Sequence, residues 1–314
     1  MSPKAAGMDL PEFAADLPTA QAAALLLKQQ LAVLTANEAG IAADGDSECL
    51  HRFRVAVRRS RTLIQALKQH LPPSILGLGE DLKWLSAATS PLRDLDVHLA
   101  GFETMTRLVP DEPKSAFEPM RAVLEKRRLA ARRKALAALR STRYQALKRR
   151  WRSSDKVRLR IVDSPPIGPA ADAAIERAYA RALKKGGRIT KKSPAEALHA
   201  LRKDGKKLRY LMEFFAPLKQ EEAIEGAIRT LKELQDCLGK HQDFAVQHAV
   251  VRKIRLQFQK DTVTPKATVA ALAHLEAVLA QGQRQTRARF ADLFAPFAAA
   301  KTQRLFHELY GATP

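Results

Sequence analysis

Two stretches of the sequence combine one histidine with a row of basic residues at helical spacing. The first, LHRFRVAVRRSRTLI, begins at Leu50, and the second, LHALRKDGKKLRYLM, begins at Leu198. An α-helix turns by about 100° per residue, so the basic residues three, seven and ten positions after each histidine share one face and form a row roughly 15 Å long. Arginine and lysine donate charge-assisted hydrogen bonds to phosphate oxygens. Each row is therefore a candidate anion-binding site.

The two rows occupy matching positions at an offset of 148 residues, from Leu50 to Leu198. The first row comprises His51, Arg54, Arg58, Arg59 and Arg61, and the second comprises His199, Arg202, Lys206, Lys207 and Arg209. A single basic row is usually a solvated helix face, but duplication favours a shared anionic ligand. Acidic side chains are rare within the rows, so i,i+4 ion pairs do not explain them. The histidines either donate to phosphate or stabilise the start of each helix.

The charge of the whole chain agrees with an anionic ligand. Lys and Arg total 54 against 33 Asp and Glu, which gives a net charge of +21. The segment 121–160 contains sixteen basic residues and two acidic ones, and Arg128, Arg132 and Arg143 are predicted to extend the cationic surface. A field of this sign attracts nucleic acid, anionic membranes and free polyphosphates.

Several classes of protein are disfavoured. The sequence has no transmembrane run and no apolar signal segment, and its two cysteines indicate a reducing cytoplasm. No GxxxxGK[ST] loop for a nucleotide is present. Asp94 and Asp243 occupy matching positions in the two halves, and Asp96 lies beside the first. We interpret these carboxylates as helix caps or ion-pair partners rather than as ligands of a catalytic metal.

The elements that carry the rows are helices. Ala and Leu dominate the composition, and apolar residues recur at helical period throughout, which predicts an all-α protein. Breakers divide the chain into tracts near 19–39, 46–70, 75–107 interrupted at Pro91, 114–152, 169–186, 194–216, 220–260 interrupted at Gly239, and 266–309. The repeat continues beyond the rows, where it pairs Lys83 with Lys232. It predicts two four-helix units, residues 1–160 and 161–314.

The duplicated L-H-x-x-R motif and the following LRDLDV and LGKHQD segments resemble the CHAD family, the conserved histidine α-helical domain, over roughly residues 15–310. The resemblance implies two pseudo-symmetric four-helix bundles whose basic residues face a central groove or pore. It also implies binding of inorganic polyphosphate at granules, without chemistry and without a cofactor. Besides the two rows, it assigns binding roles to Lys83, Arg93 and Lys232. Gly205, inside the second motif, is a departure that either permits close approach of a neighbour or has no role.

Three functions are compatible with these features. The leading prediction is a cytoplasmic polyphosphate-binding module that associates with granules and does not insert into membranes. The first alternative is a basic helical protein that binds nucleic acid, although the rows contain almost no side chains for stacking on bases. The second alternative is an enzyme that processes polyphosphate.

Overall fold

The computed structural model of the protein describes residues 13–153, 164–219 and 221–311, and α-helices joined by short connections make up most of them. This confirms the all-α prediction. The first half contains α1 (Thr19–Ala36), α2 (Glu38–Ala43), α3 (Ser47–Ala66), α4 (Pro73–Leu76), α5 (Leu78–Ala100), α6 (Phe102–Thr106), α7 (Glu118–Arg140) and α8 (Thr142–Ser153). The second half contains α9 (Ile167–Gly186), α10 (Ala195–Phe215), α11 (Glu221–Phe258), α12 (Lys266–Ala288), α13 (Phe290–Ala298) and α14 (Ala300–Tyr310). None of the described helices is long and apolar enough to cross a membrane.

Both basic rows lie on amphipathic helices that bury their apolar faces. α3 begins after Asp46, whose carboxylate accepts a hydrogen bond from the backbone N–H of Glu48 at 2.8 Å, as is typical of an N-cap. The buried apolar positions include Leu50, Phe53, Val57 and Leu63 on α3, and Leu198, Leu201, Leu208 and Leu211 on α10. Burial of these faces orients much of each basic row away from the apolar interior.

The helices of each half contact one another in a ring. In the first half α3 packs between α1 and α5, α5 packs on α7, and α8 contacts α1. In the second half α10 packs between α9 and α11, while α11 and α9 both contact α14. α3 also packs against α10, so the two motif helices meet each other. α7 has no substantial contact with α3, because α5 lies between them on one side of the ring and α8 and α1 lie between them on the other.

Two apolar clusters stabilise this arrangement. The larger cluster includes Leu26 and Trp151 from the first half together with Leu208 and Phe297 from the second. The smaller cluster joins α6 and α7 to α11 and α12. It includes Leu124 of α7, Val251 of α11 and Leu275 of α12. Apolar contacts therefore hold the halves together at two places. The predicted boundary near residue 160 falls in 154–163, outside the described residues, and stays a prediction.

Three predicted element boundaries are wrong. α5 continues through Pro91, which is exposed, so its ring points toward solvent rather than into the bundle. α11 continues through Gly239, because neighbouring buried leucines hold the helix in place. The tract 114–152 is divided at Ser141, which is extended at ψ 151° and accepts a hydrogen bond from the Tyr144 N–H at the start of α8.

Candidate anion-binding site

The basic rows of α3 and α10 come within electrostatic range of each other. Burial, together with the positive charges of Arg202, Arg58 and Arg209, lowers the pKa of Lys206 on α10 to about 8, while Asp243 opposes them. Arg58 belongs to α3, the helix of the other half. The pKa of His51 on α3 shows the same proximity of the two helices. Burial and the positive charges of Arg93, Arg58 and Lys206 lower this pKa, whereas Glu48 raises it.

Three of these cations have no acidic partner within the described part of the chain. No carboxylate oxygen of a described residue lies within 4.0 Å of a side-chain nitrogen of Arg58, Arg202 or Lys206, although neighbouring cations do form such pairs. The Nε atoms of Arg58 and Arg202 are also buried without a hydrogen-bond partner there. The three side chains are half-buried, and cations shielded from solvent in this way favour an external anion, because desolvation without compensation is costly. We call Arg58, Arg202 and Lys206 the central cations.

Arg54 is held in place by hydroxyl groups of α5. Its Nη1 donates to the Ser86 carbonyl and to Thr89 Oγ1, both at 2.8 Å, and its Nη2 donates to Ser90 Oγ at 3.0 Å. Burial lowers its pKa to about 10, as does Arg58, so it remains charged at neutral pH. These neutral acceptors fix the guanidinium without cancelling its charge, so its field still acts on an anion near Arg58.

Glu213 on α10 joins the two rows. Its Oε2 accepts from Arg59 Nη1 of α3 at 2.9 Å, and its Oε1 lies 3.0 Å from Arg209 Nε of its own helix. Arg59 is only 6% exposed, and its guanidinium lies over the rings of Phe214 at 4.6 Å and Tyr210 at 5.6 Å. Arg59 and Arg209 therefore contribute to the joint between the halves.

A second carboxylate neutralises part of the α10 row. Asp204 is buried, and its Oδ2 lies 2.5 Å from Lys185 Nζ of α9, while its Oδ1 lies 3.4 Å from Lys207 Nζ. Gly205 follows it, and an added Cβ there would meet Gln235 at 3.7 Å, an ordinary contact. A close approach of a neighbouring helix therefore does not require this glycine.

The two motif histidines have different environments. His199 Nδ1 lies 2.6 Å from Gln242 Oε1, a hydrogen bond in which the histidine donates and the amide oxygen accepts. This bond leaves Nε2 as the ring atom for a ligand, and Nε2 donates to an anion when the ring is protonated. His51 instead has Arg93 as a charged neighbour. Arg93 itself donates to the Ser47 carbonyl at the start of α3, at 3.2 Å.

The remaining predicted residues lie around this centre or apart from it. Lys83 and Lys232 are exposed on α5 and α11, and Lys83 pairs with Glu80 at 3.5 Å; Arg61 is half-buried on α3. Arg128 donates to Asp44 and Asp96, which raises its pKa, and Arg132 lies 3.2 Å from Asp44. Arg143 donates to Asp81 at 2.8 Å. Arg128, Arg132 and Arg143 are thus paired with carboxylates of the first half.

The acidic residues at matching positions meet near His98. Asp94 and Asp243 both raise the pKa of His98, although burial lowers it more. Asp94 lies in the interior of α5 and Asp243 in the interior of α11, so the prediction that they cap helices is wrong. Asp96 forms the expected type of ion pair, with Arg128. The described residues include no cluster of three metal-ligating side chains.

Two sets of residues that shape the site are not predicted by the sequence motifs. Glu213 lies four residues after Arg209, a spacing that indicates an ion pair on a helix, but nothing local points to Arg59, 154 positions away. The hydroxyl residues Ser86, Thr89 and Ser90 share a face of α5, which was a usable signal for a polar contact. Only the packing of α3 on α5 shows that they hold Arg54.

Comparison with known proteins identifies the family. The CHAD domain profile matches residues 25–252, and no curated protein matches the chain. The crystal structure of the CHAD domain from the plant Ricinus communis is 25% identical, with a TM-score of 0.74 over 91% of this chain and 95% of that one. PptA from Streptomyces chartreusis is 17% identical, with a TM-score of 0.69 over 88% of this chain and 99% of that one. Because the profile covers more than two thirds of the sequence, the chain belongs to the CHAD domain family.

Proposed function

We propose that this protein binds inorganic polyphosphate between its two halves. The observation that carries the proposal is the group of central cations, Arg58, Arg202 and Lys206, which α3 and α10 bring together with no carboxylate oxygen of a described residue within 4.0 Å of their side-chain nitrogens. Family membership supports the same ligand. A chain of phosphates neutralises these cations in succession, and release of its counterions drives much of the binding.

The predicted contact residues divide into two groups under this proposal. The ligand-binding group comprises His51, Arg54, Arg58, Arg61, Arg93, His199, Arg202 and Lys206, with Lys83 and Lys232 at its exposed margin. The supporting group comprises Arg59, Lys207, Arg209, Arg128 and Arg132, each of which already has a carboxylate partner. Arg59 and Arg209 share the single carboxylate of Glu213 and so keep a net positive charge, whereas Asp44 and Asp96 neutralise Arg128 and Arg132.

The first test is competition between polyanions. Labelled long-chain polyphosphate is displaced by unlabelled polyphosphate, DNA or RNA at the same salt and the same concentration of charge. We expect polyphosphate to compete best, because the side chains of the central cation group are all basic and none is an aromatic ring on which a base could stack. Tighter binding of DNA or RNA would favour the nucleic-acid alternative and reject this proposal.

The second test removes the central cations. The variant R58Q/R202Q/K206Q is expected to lose at least about 100-fold in affinity, because each charge-assisted contact with phosphate contributes about 1.5 kcal/mol or more. For this variant, the slope of log affinity against log salt concentration is expected to be less negative by roughly 2, because three contacts with a flexible polyanion are lost.

The matched control neutralises three exposed cations elsewhere, K253Q/K260Q/K301Q, and keeps the same net charge as the test variant. Equal losses in the two variants would show that net charge, and not the central cations, determines binding. Circular dichroism and thermal unfolding of both variants establish that the fold is intact.

Binding without catalysis is part of the proposal. Purified protein incubated with polyphosphate and Mg²⁺ is expected to release phosphate no faster than buffer does. Steady release that disappears in His199→Ala would instead support the enzyme alternative. We further propose that the protein acts in the cytoplasm at polyphosphate granules, which microscopy of a tagged chain in cells with and without polyphosphate tests.

A further inference from the structure

Helix α7 has two basic faces, and only one of them is neutralised. Arg128 and Arg132 point toward the loop after α2 and toward α5, where oxygens of Asp44 and Asp96 lie 2.6–3.2 Å from their guanidinium nitrogens. The opposite face exposes Lys126, Arg133, Lys134 and Arg140, which we call the outer cations of α7. No carboxylate of a described residue lies within 4.0 Å of an outer cation. The outer cations therefore have no role in the internal ion pairs of the fold.

The outer cations lie along one side of the helix. Taking Lys126 as the origin and about 100° per residue, Arg133 and Arg140 lie within roughly 40° of it and Lys134 within roughly 80°. They extend over about 21 Å, since fourteen residues separate the first from the last. Glu125, which is exposed, lies to one side of this row. The row has the length and the single sign of charge that suit an extended anionic chain.

This row is separate from the central cations. α5 on one side, and α8 and α1 on the other, lie between α7 and α3 in the ring of helices, so α7 is not a neighbour of the helix that carries Arg58. At about 8–10 Å between neighbouring helix axes, the distance from α7 to α3 exceeds the Debye length of about 8 Å at physiological salt. The outer cations also point away from the packed side of α7, where Leu124, Ala131 and Ala135 are buried. One anion therefore does not neutralise both groups at close range.

We infer that the outer cations of α7 form a second binding site for linear polyphosphate, so that one protein molecule holds two chains or two segments of one chain. The choice of ligand rests on the function proposed above. The outer face of α7 suits a flexible anionic chain better than a membrane, because a membrane-binding helix needs several large apolar side chains. Leu129 is the one large apolar side chain exposed on this face, and its other exposed positions include Ala122, Ala130 and Ala137. It has no aromatic residue for a nucleic-acid base.

The proposal predicts that the protein bridges polyphosphate chains. Two populations of long chains, one labelled with a donor fluorophore and the other with an acceptor, are mixed with substoichiometric protein, and energy transfer reports bridging. The test variant is K126Q/R133Q/K134Q/R140Q, in which glutamine preserves helix propensity. We expect its affinity for one short chain to stay within about threefold of wild type, because screened charges at this distance contribute little. We expect bridging of long chains to be lost.

A matched control distinguishes the effect of the outer cations of α7 from the effect of total charge. The variant K253Q/K260Q/K301Q/R304Q removes four exposed cations from α11, its following turn and α14, and is expected to bridge as wild type does. Light scattering of the ligand-free proteins identifies any bridging that arises from self-association.

The possible outcomes are distinct. Bridging by the α7 variant at the wild-type level would overturn the second site, as would equal loss of bridging in the control. Loss of binding to vesicles containing phosphatidylserine, with bridging retained, would assign the face to a membrane and also overturn the proposal. If wild type does not bind even a single short chain, the proposed function itself fails, whereas tight binding without bridging rejects the second site alone.

Discussion

Among the central cations, Lys206 is the one whose pKa is clearly lowered by its surroundings. Burial and the charges of Arg202, Arg58 and Arg209 lower its pKa to about 8, so its amine loses charge in a range where exposed lysines keep theirs. A bound polyanion raises this pKa, so binding takes up a proton above pH 8. We therefore expect polyphosphate affinity to be insensitive to this group below about pH 8 and to fall at higher pH, by at most about tenfold per unit.

The control for this prediction is Lys206→Arg, which keeps the positive charge throughout the same range. Affinity measured by titration calorimetry between about pH 7 and 9.5 is expected to decline for wild type and to stay nearly constant for K206R. Calorimetry in two buffers of different ionisation enthalpy counts the protons taken up. An identical decline in both proteins would assign the pH dependence to another group and would place Lys206 outside the binding site.

At the scale of elements, Glu213 is predicted to stabilise the joint between α3 and α10. Replacing it with Gln leaves the buried Arg59 with a neutral amide oxygen in place of its counter-charge, and loss of that charge beside a buried cation costs about 2 kcal/mol. Urea unfolding is expected to show this loss in E213Q. Arg209→Gln removes the other partner, which is 41% exposed at its side chain, and should cost about 0.5 kcal/mol or less. Equal stability of wild type and E213Q would contradict a joint of this kind.

The same two helices show what sequence can and cannot predict. The positions of α3 and α10 follow from apolar period and the repeated motif, both of which are local. The pairing of Arg59 with Glu213 joins residues 154 apart, and no periodic pattern contains that information. Arg128 and Arg132 illustrate the same limit, because a basic helical segment does not reveal which of its faces meets Asp44 and Asp96. The continuity of α5 through Pro91 likewise depends on the side of the helix that faces solvent.

At the scale of the whole molecule, the net charge of +21 affects folding and binding in opposite directions. Compaction brings the excess positive charges together, and their mutual repulsion destabilises the folded chain, whereas binding of a polyanion depends on that same excess. Added salt screens both effects. We therefore expect NaCl to stabilise the ligand-free protein while it weakens polyphosphate binding.

The effect of NaCl on stability and its effect on polyphosphate binding are measurable on one sample series. Thermal unfolding without ligand, followed by circular dichroism from about 50 to 200 mM NaCl, is expected to show a midpoint that rises by about 2–4 °C, equivalent to roughly 1 kcal/mol. Affinity for polyphosphate is expected to fall over the same range. Internal ion pairs, such as those of Glu276 with Arg255 and Arg252, are weakened by salt and act against the rise. A midpoint that falls with salt would mean that these pairs outweigh the repulsion of the excess cations, because only that balance reverses the sign.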